Sequence, residues 1–157
     1  MIILGIDPGL NGAIAAYNTD TGEVTVEDMP TVEVTRNGKK KREVSPQLLS
    51  NIIAKAYARS AVVERVGAMP GQGVTSVFSF GRSVGVVEGI LAAFDVATTI
   101  IAPVVWQKAL NVRGGKDGSR ERAMQLFPAQ ADLFGRKKDD GRSDAALIAY
   151  YGAQTSK

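Results

Sequence analysis

The chain of 157 residues contains no cysteine and no histidine. Without cysteine it cannot form disulfides, use a thiol nucleophile or bind zinc through thiolates. Without histidine it lacks Ser-His-Asp chemistry, imidazole metal ligands and the usual general base of neutral pH. Any catalysis must therefore use carboxylates, lysines or hydroxyls.

Long apolar runs are also missing from the sequence. We find no run of membrane-spanning length and no basic leader before the apolar N-terminus. The composition, 45% hydrophobic and 22% charged, is typical of one globular domain over residues 1–157. We therefore expect a soluble, cytoplasmic protein without a membrane partner.

Positive charge is concentrated in three polar stretches, although the net charge is only +3. Clustered cations in loops indicate a polyanionic partner such as nucleic acid, and a solvated surface is the common alternative. The clusters are Arg36, Lys39, Lys40, Lys41 and Arg42; Arg113, Lys116, Arg120 and Arg122; and Arg136, Lys137, Lys138 and Arg142.

The hydrophobic pattern predicts a mixed α/β domain. Alternating runs predict three strands up to residue 29 and a hairpin around Asn37-Gly38, with further strands at 61–66 and 96–101. Helical spacing predicts helices at 45–59, 74–93, 103–110, 120–127 and 140–153, with irregular loops at 111–119 and 129–138. This order predicts a mixed sheet with helices on its faces. The basic hairpin is either an exposed arm that holds phosphates or an edge ribbon kept soluble by lysines.

Gly81, Gly85 and Gly89 share one face of the longest predicted helix. Glycine costs roughly 1 kcal/mol relative to alanine in a helix, so the row indicates that another backbone packs closely there. The candidates are the domain's own sheet, which we favour, and the same helix of a second subunit.

Four acidic residues stand at the ends of predicted elements. Asp7 and Glu64 each end an apolar strand, where a charge is unusual unless it is paired or binds metal. Asp140 and Asp144 open the last helix and point in the same direction, whereas Asp139 is rotated by about 140° from Asp144. Taken singly, these acids also suit a turn, a salt bridge or a helix cap.

Gathered in one place, these carboxylates would repel one another, and a divalent cation would relieve the repulsion. Oxygen ligands suit Mg²⁺ or Mn²⁺ and do not suit zinc. Two such ions roughly 4 Å apart can activate a water and clamp a phosphate. Beside basic loops, this chemistry indicates phosphodiester hydrolysis in nucleic acid.

The sequence resembles the RuvC-type Holliday junction resolvases, most closely their short phage and prophage branch. The resemblance covers nearly the whole chain and rests on Gly5-Ile6-Asp7-Pro8-Gly9, Val62-Val63-Glu64-Arg65, the glycine-bearing helix that follows, and residues 141–149. It implies a ribonuclease-H-like fold, here with an extra basic hairpin. It also implies a homodimer that cleaves branched double-stranded DNA in recombination, repair or phage DNA processing, in a bacterial or phage-infected cell.

The resemblance also implies roles for particular residues. Two Mg²⁺ ions, replaceable by Mn²⁺, would be held by Asp7, Glu64, Asp140 and Asp144, leaving 5′ phosphate and 3′ hydroxyl ends. In bacterial relatives the last two acids are three apart, where this chain has Gly141, so Asp139 and Asp140 remain alternatives. An aromatic acts on junction bases in the family; Met69 and Phe78 are the candidates, and Phe78 is also expected in the core. The predicted DNA-binding residues are Arg36, Lys39, Lys40, Lys41, Arg42, Met69, Lys108, Arg113, Lys116, Arg120, Lys137 and Lys138.

Two other functions suit parts of the sequence. A protein of the same fold could bind branched DNA without cutting it, although the intact acids argue against this. Actin-like phosphotransferases begin with a similar Asp-Pro-Gly turn, but they need two such domains and this chain is too short.

Overall fold

The computed structural model describes residues 1–36, 38–68 and 70–156, and within them not the side chain of Lys116. Asn37 of the predicted hairpin turn and Met69 of the predicted DNA contacts lie outside the described residues. The predicted DNA contact of the Lys116 side chain does so as well.

A five-stranded mixed sheet forms the centre of the molecule. From one edge to the other, the strands follow the order β3-β2-β1-β6-β7. β1 is antiparallel to β2 and parallel to β6, and β6 is parallel to β7. β4 and β5 form a separate two-stranded hairpin. The predicted mixed sheet with an extra hairpin is confirmed. The strands are β1 (Ile2–Asp7), β2 (Ala13–Asn18), β3 (Val24–Asp28), β4 (Thr31–Arg36), β5 (Lys39–Val44), β6 (Ser60–Glu64) and β7 (Ala97–Ile101).

Helices cover both faces of the sheet and create two hydrophobic cores. One core lies between the sheet and α3, α4 and α5, and the other lies between the sheet and α1 and α2. The Ser45 hydroxyl caps α1 by accepting from the Leu48 N–H at 3.3 Å. The helices are α1 (Pro46–Ala56), α2 (Val74–Ala93), α3 (Pro103–Ala109), α4 (Gly115–Leu126) and α5 (Asp140–Thr155), with 3₁₀ turns at Pro128–Phe134 and Lys137–Asp139.

Helix α5 packs directly on β1 because glycines remove the side chains that would separate them. A Cβ on Gly5 would overlap the Ala145 carbonyl oxygen and lie 2.8 Å from the Ala149 Cα. A Cβ on Gly152 would lie 2.7 Å from a methyl of Val62. Because Gly5 meets residues 145 and 149, whereas a Cβ on Gly152 would lie 3.1 Å from a methyl of Ile3, α5 runs antiparallel to β1. Its N-terminus therefore reaches the sheet edge where β1 and β6 end.

The predicted loop at 111–119 is partly wrong, because α4 begins at Gly115. Glycine-rich sequence has low helix propensity, so the pattern concealed this turn. A Cβ on Gly118 would overlap the Arg113 carbonyl oxygen, so the glycine is required by close backbone packing. Tertiary packing overrides propensity here.

Helix α2 contradicts two expectations from the sequence. Within the described part of the chain, a Cβ on Gly81, Gly85 or Gly89 would meet nothing within 4 Å, so the sheet is not the packing partner of this face. By length and composition alone, α2 could also cross a membrane, and 17% of the tested window is buried. The sequence analysis missed this run because Arg82 and Glu88 interrupt it. It is weak evidence for a span, because helices packed on a sheet meet the same criteria.

Candidate active site

Asp7 and Glu64 are brought together by the pairing of their strands. β1 and β6 are parallel neighbours with Ile6 opposite Val63, so the next residues, Asp7 and Glu64, end the two strands side by side. Side chains alternate between the faces of a strand. Gly5 and Val62 contact α5, so the acids two residues further on also face α5.

The Glu64 carboxylate is held in a partly buried position. The indole N–H of Trp106, whose side chain is fully buried, donates to Glu64 Oε1 at 3.0 Å. Burial raises the pKa of Glu64 to about 7, the Trp106 hydrogen bond opposes the rise, and the charges of Asp7 and Asp144 add to it. The carboxylates of Asp7 on β1 and Asp144 on α5 therefore lie near enough to Glu64 on β6 to interact with it electrostatically.

The turn after β1 fixes the Asp7 side chain. Its Oδ1 accepts a hydrogen bond from the Gly9 N–H at 3.1 Å. A Cβ on Gly12 would lie 2.7 Å from Asp7 Cγ, so only glycine allows the turn to close over the carboxylate. The Pro-Gly turn noted in the sequence thus orients the acid that it follows.

The structure separates Asp139 from Asp140. Asp139 is 1% exposed, and its carboxylate accepts from the Arg136 backbone N–H at 2.9 Å and from the Arg136 guanidinium at 2.9 Å. Burial would raise the pKa of Asp139, but the Arg136 hydrogen bonds and charge outweigh it and lower the pKa. Asp139 therefore stabilises the turn before α5 through its hydrogen bonds to Arg136. Asp140 is half-buried, and both acids line a cavity of about 440 Å³ together with Arg42 and Lys138. Because the Asp139 carboxylate is already held by Arg136, Asp140 is favoured over Asp139 as a ligand.

The acids fit an oxygen-preferring divalent cation by their chemistry. Among residues 1–36, 38–68 and 70–156, no three acidic side chains are already drawn together as a metal cluster. Nevertheless, Asp7 and Asp144 both disfavour ionisation of Glu64, and a cation placed among the three would reverse that effect. The donor set consists entirely of carboxylates, which suits Mg²⁺ or Mn²⁺.

Several predicted DNA-binding cations already have protein partners. Arg36 pairs with Glu43 at 2.9 Å, and Lys40 pairs with Glu33 at 2.8 Å. The Arg120 side chain is 17% exposed and bonds to Asp117 and to the Gly135 carbonyl, which favours a structural role. Arg36 and Lys40 are nevertheless exposed, as are the other predicted cations Lys39, Lys41, Lys108, Arg113, Lys137 and Lys138.

Sequence reasoning missed one residue and misplaced two. Trp106 was missed although it is the only tryptophan of the chain, which could have indicated a special role. Arg42 was assigned to DNA, but its guanidinium turns back onto the Leu10–Asn11 backbone and side chain. Phe78 was expected in the core and is 74% exposed, because it lies on the uncovered side of α2.

Comparison with solved structures shows that the chain has a known fold. No family model matches the chain. The structure of Thermus thermophilus RuvC in complex with Holliday junction substrate matches 99% of this chain and 96% of its own, with a TM-score of 0.68 at 13% identity. The chain has the RuvC fold. The ribonuclease-H-like α/β class predicted from the sequence is thereby confirmed.

Two further proteins resemble this RuvC-fold chain. The yeast mitochondrial Holliday junction resolvase Ydc2 matches 97% of the chain and 78% of its own, with a TM-score of 0.55 at 18% identity. In sequence, the chloroplastic Holliday junction resolvase MOC1 of Chlamydomonas reinhardtii is 36% identical over 102 residues, which is 61% of this chain. The chain spans 11% of the length of MOC1. The roles of individual residues in the RuvC-fold chain rest on the geometry above.

Proposed function

We propose that residues 1–157 form one nuclease domain, a metal-dependent endonuclease that resolves Holliday junctions or other branched DNA. The observation that carries this proposal is the convergence of Asp7, Glu64 and Asp144 at the strand ends of a RuvC fold. The relatives named as Holliday junction resolvases support the choice of substrate. We place the activity in recombination, repair or phage DNA processing, in the cytoplasm of a bacterial or phage-infected cell.

Asp7, Glu64, Asp140 and Asp144 would hold two Mg²⁺ ions, with Mn²⁺ as a substitute. When bound, these ions supply Lewis acidity, which acidifies a water and neutralises charge on the leaving oxygen. The chain itself orients the ligands. The Trp106 N–H fixes one Glu64 oxygen, and the Gly9 N–H fixes one Asp7 oxygen. Glu64 must lose its proton to act as a ligand, and nearby positive charge favours that loss.

The exposed cations would hold the phosphates of the DNA arms. Phosphate contacts of this kind make binding strongly salt-dependent and position the protein without reading sequence. Recognition of a branch would therefore depend on the shape of the DNA. The residues that we assign to this role are Lys39, Lys41, Lys108, Arg113, Lys137 and Lys138, with Arg36 and Lys40 at the edge of the hairpin.

The function is tested with a synthetic four-way junction and a linear duplex of the same sequence. We expect nicks near the branch point with Mg²⁺ or Mn²⁺, and none with EDTA. The linear duplex should remain intact under all three conditions. Junction binding without nicking in either metal would instead support the second candidate, a non-cleaving branched-DNA-binding protein of the same fold.

We also propose that the protein is a homodimer joined through α2. Val74 and Phe78 are 86% and 74% exposed, and the glycine face of α2 is open to a second backbone. Large exposed apolar surface commonly marks an interaction site. A twofold dimer would use the same surface on both copies, and it would supply two active sites for the two strands that must be cut in a junction.

The dimer is tested by Gly85→Glu. A Cβ at residue 85 would meet no described residue within 4 Å, so the folded monomer should tolerate the substitution, whereas a charge between two helices should separate the copies. Sedimentation should show a dimer for the wild type and a monomer for the variant. Gln47→Glu adds the same charge to the exposed face of α1 and should leave the dimer intact. A wild-type monomer, or a Gly85→Glu dimer, would contradict the assignment.

A further inference from the structure

The hairpin formed by β4 and β5 is anchored at its base to two different parts of the domain. Arg42 and Glu43 are neighbours in β5, so their side chains leave opposite faces of the strand. Arg42 reaches the loop after β1, and Glu43 pairs with Arg82 of α2. The hairpin is therefore docked on the domain at residues 42–43.

The Arg42 guanidinium donates three hydrogen bonds, two to the loop after β1 and one within the hairpin. One terminal nitrogen donates to the Leu10 carbonyl at 2.9 Å, and the other donates to Asn11 Oδ1 at 3.1 Å. Nε donates to Thr31 Oγ1 at 3.2 Å across the hairpin. Such a planar fork fixes orientation as well as distance, which a lysine ammonium cannot do.

The gripped loop lies between two of the proposed metal ligands. On one side, a Cβ on Gly12 would lie 2.7 Å from Asp7 Cγ. On the other side, a Cβ on Gly141, next to Asp140, would lie 2.8 Å from the Gly12 Cα. A shift of residue 12 towards either neighbour would therefore press on Asp7 or on the start of α5.

The second anchor, the ion pair between Glu43 and Arg82, connects the hairpin to the segment that follows β6. Glu43 is held by Arg36 within the hairpin and by Arg82 of α2, the helix that follows Glu64 and its loop. The hairpin thus connects the segments that follow β1 and β6, the two strands that end in acids.

We propose that Arg42 is a positioning residue that sets the place of residues 10–12, and through them of Asp7 and Asp140, relative to the basic hairpin. This inference rests on the proposed function for its metal site. DNA held by the hairpin tip would then be aligned with the acids through one guanidinium. Loss of Arg42 should weaken metal binding and turnover much more than it weakens junction binding.

The test compares Arg42→Gln, Arg42→Lys and wild type, with Arg59→Gln as the charge-matched control. Arg59 is exposed and precedes β6, at the end of that strand opposite Glu64. Mn²⁺ affinity and hydrogen exchange of residues 9–12 are measured without DNA, and single-turnover cleavage is measured at saturating junction. Groups that orient metal ligands typically contribute about 10- to 100-fold to affinity or activity. We expect a loss of that size in Mn²⁺ affinity and cleavage for Arg42→Gln, with faster exchange of residues 9–12.

Arg42→Lys keeps the charge and loses the fork, so it should restore junction affinity while recovering only part of the cleavage rate. Arg59→Gln should match wild type in Mn²⁺ affinity and exchange. Unchanged Mn²⁺ affinity and exchange in Arg42→Gln would overturn the proposal, whatever happens to junction binding. A wild-type protein that binds Mn²⁺ but cuts no junction would defeat the proposed function alone, because these readouts need no DNA.

Discussion

Asp7→Asn is expected to lower the junction cleavage rate by at least about 1,000-fold, which corresponds to about 4 kcal/mol of transition-state stabilisation. Asp7 ends the central strand beside Glu64, and its charge contributes to the raised pKa of Glu64. The amide is nearly isosteric, can still accept from the Gly9 N–H, and is a poor ligand for divalent cations. Single-turnover cleavage with Mg²⁺ measures the effect.

Junction binding by Asp7→Asn should stay within about threefold of wild type, because removing a negative charge does not disturb the phosphate contacts. Asp95→Asn is the matched control. Asp95 is exposed between α2 and β7 with a φ of 54°, a conformation that asparagine adopts readily. Its cleavage rate should equal that of wild type. Retention of a tenth or more of the wild-type rate by Asp7→Asn would exclude Asp7 from the metal site.

Gly5→Ala is expected to lower the free energy of unfolding by about 3 kcal/mol or more. The added methyl would clash with backbone atoms, which cannot rotate out of the way as a side chain can. The added methyl would overlap the Ala145 carbonyl oxygen and the Ala149 amide of α5. Relief requires α5 to move away from β1. Urea unfolding of metal-free protein measures the change through the transition midpoint.

The control for Gly5→Ala is Gly135→Ala. Gly135 has φ −72° and ψ −28°, and a Cβ there would have none of the described residues within 4 Å. Alanine fits this conformation and reduces the entropy of the unfolded chain, so stability should stay equal or rise by up to about 1 kcal/mol. A Gly5→Ala protein as stable as this control would show that α5 does not press on β1 as described.

The elements that form the centre of the site could be predicted from the sequence because their patterns are local. An apolar run that ends in an acid predicts a buried strand with an exposed end, which holds for β1 and β6. Helix α2 was predicted with the bounds that the structure shows, and the hairpin was predicted where β4 and β5 lie. The face that α2 buries was predicted wrongly. Three glycines on one helix face indicate that another backbone approaches closely, but they do not show which backbone it is.

Contacts that depend on three-dimensional neighbours could not be predicted. Asp139 and Asp140 differ by one position, and only the 3₁₀ turn that brings Arg136 onto Asp139 distinguishes them. Likewise, a run of basic residues does not show that Arg42 alone turns inward. The Trp106 hydrogen bond to Glu64 joins residues from different elements and leaves no local pattern.

The packing of α5 on β1 also determines when during synthesis the site can exist. Among the elements described, β1 is made before α5, which carries Asp140 and Asp144 and comes after the others. Until α5 leaves the ribosome, β1 has no helix packed on this face. Folding must wait for contacts between β1 and α5, which are far apart in sequence. A partly synthesised chain would therefore carry the basic hairpin without a complete set of acids, and it could bind DNA before it could cut it.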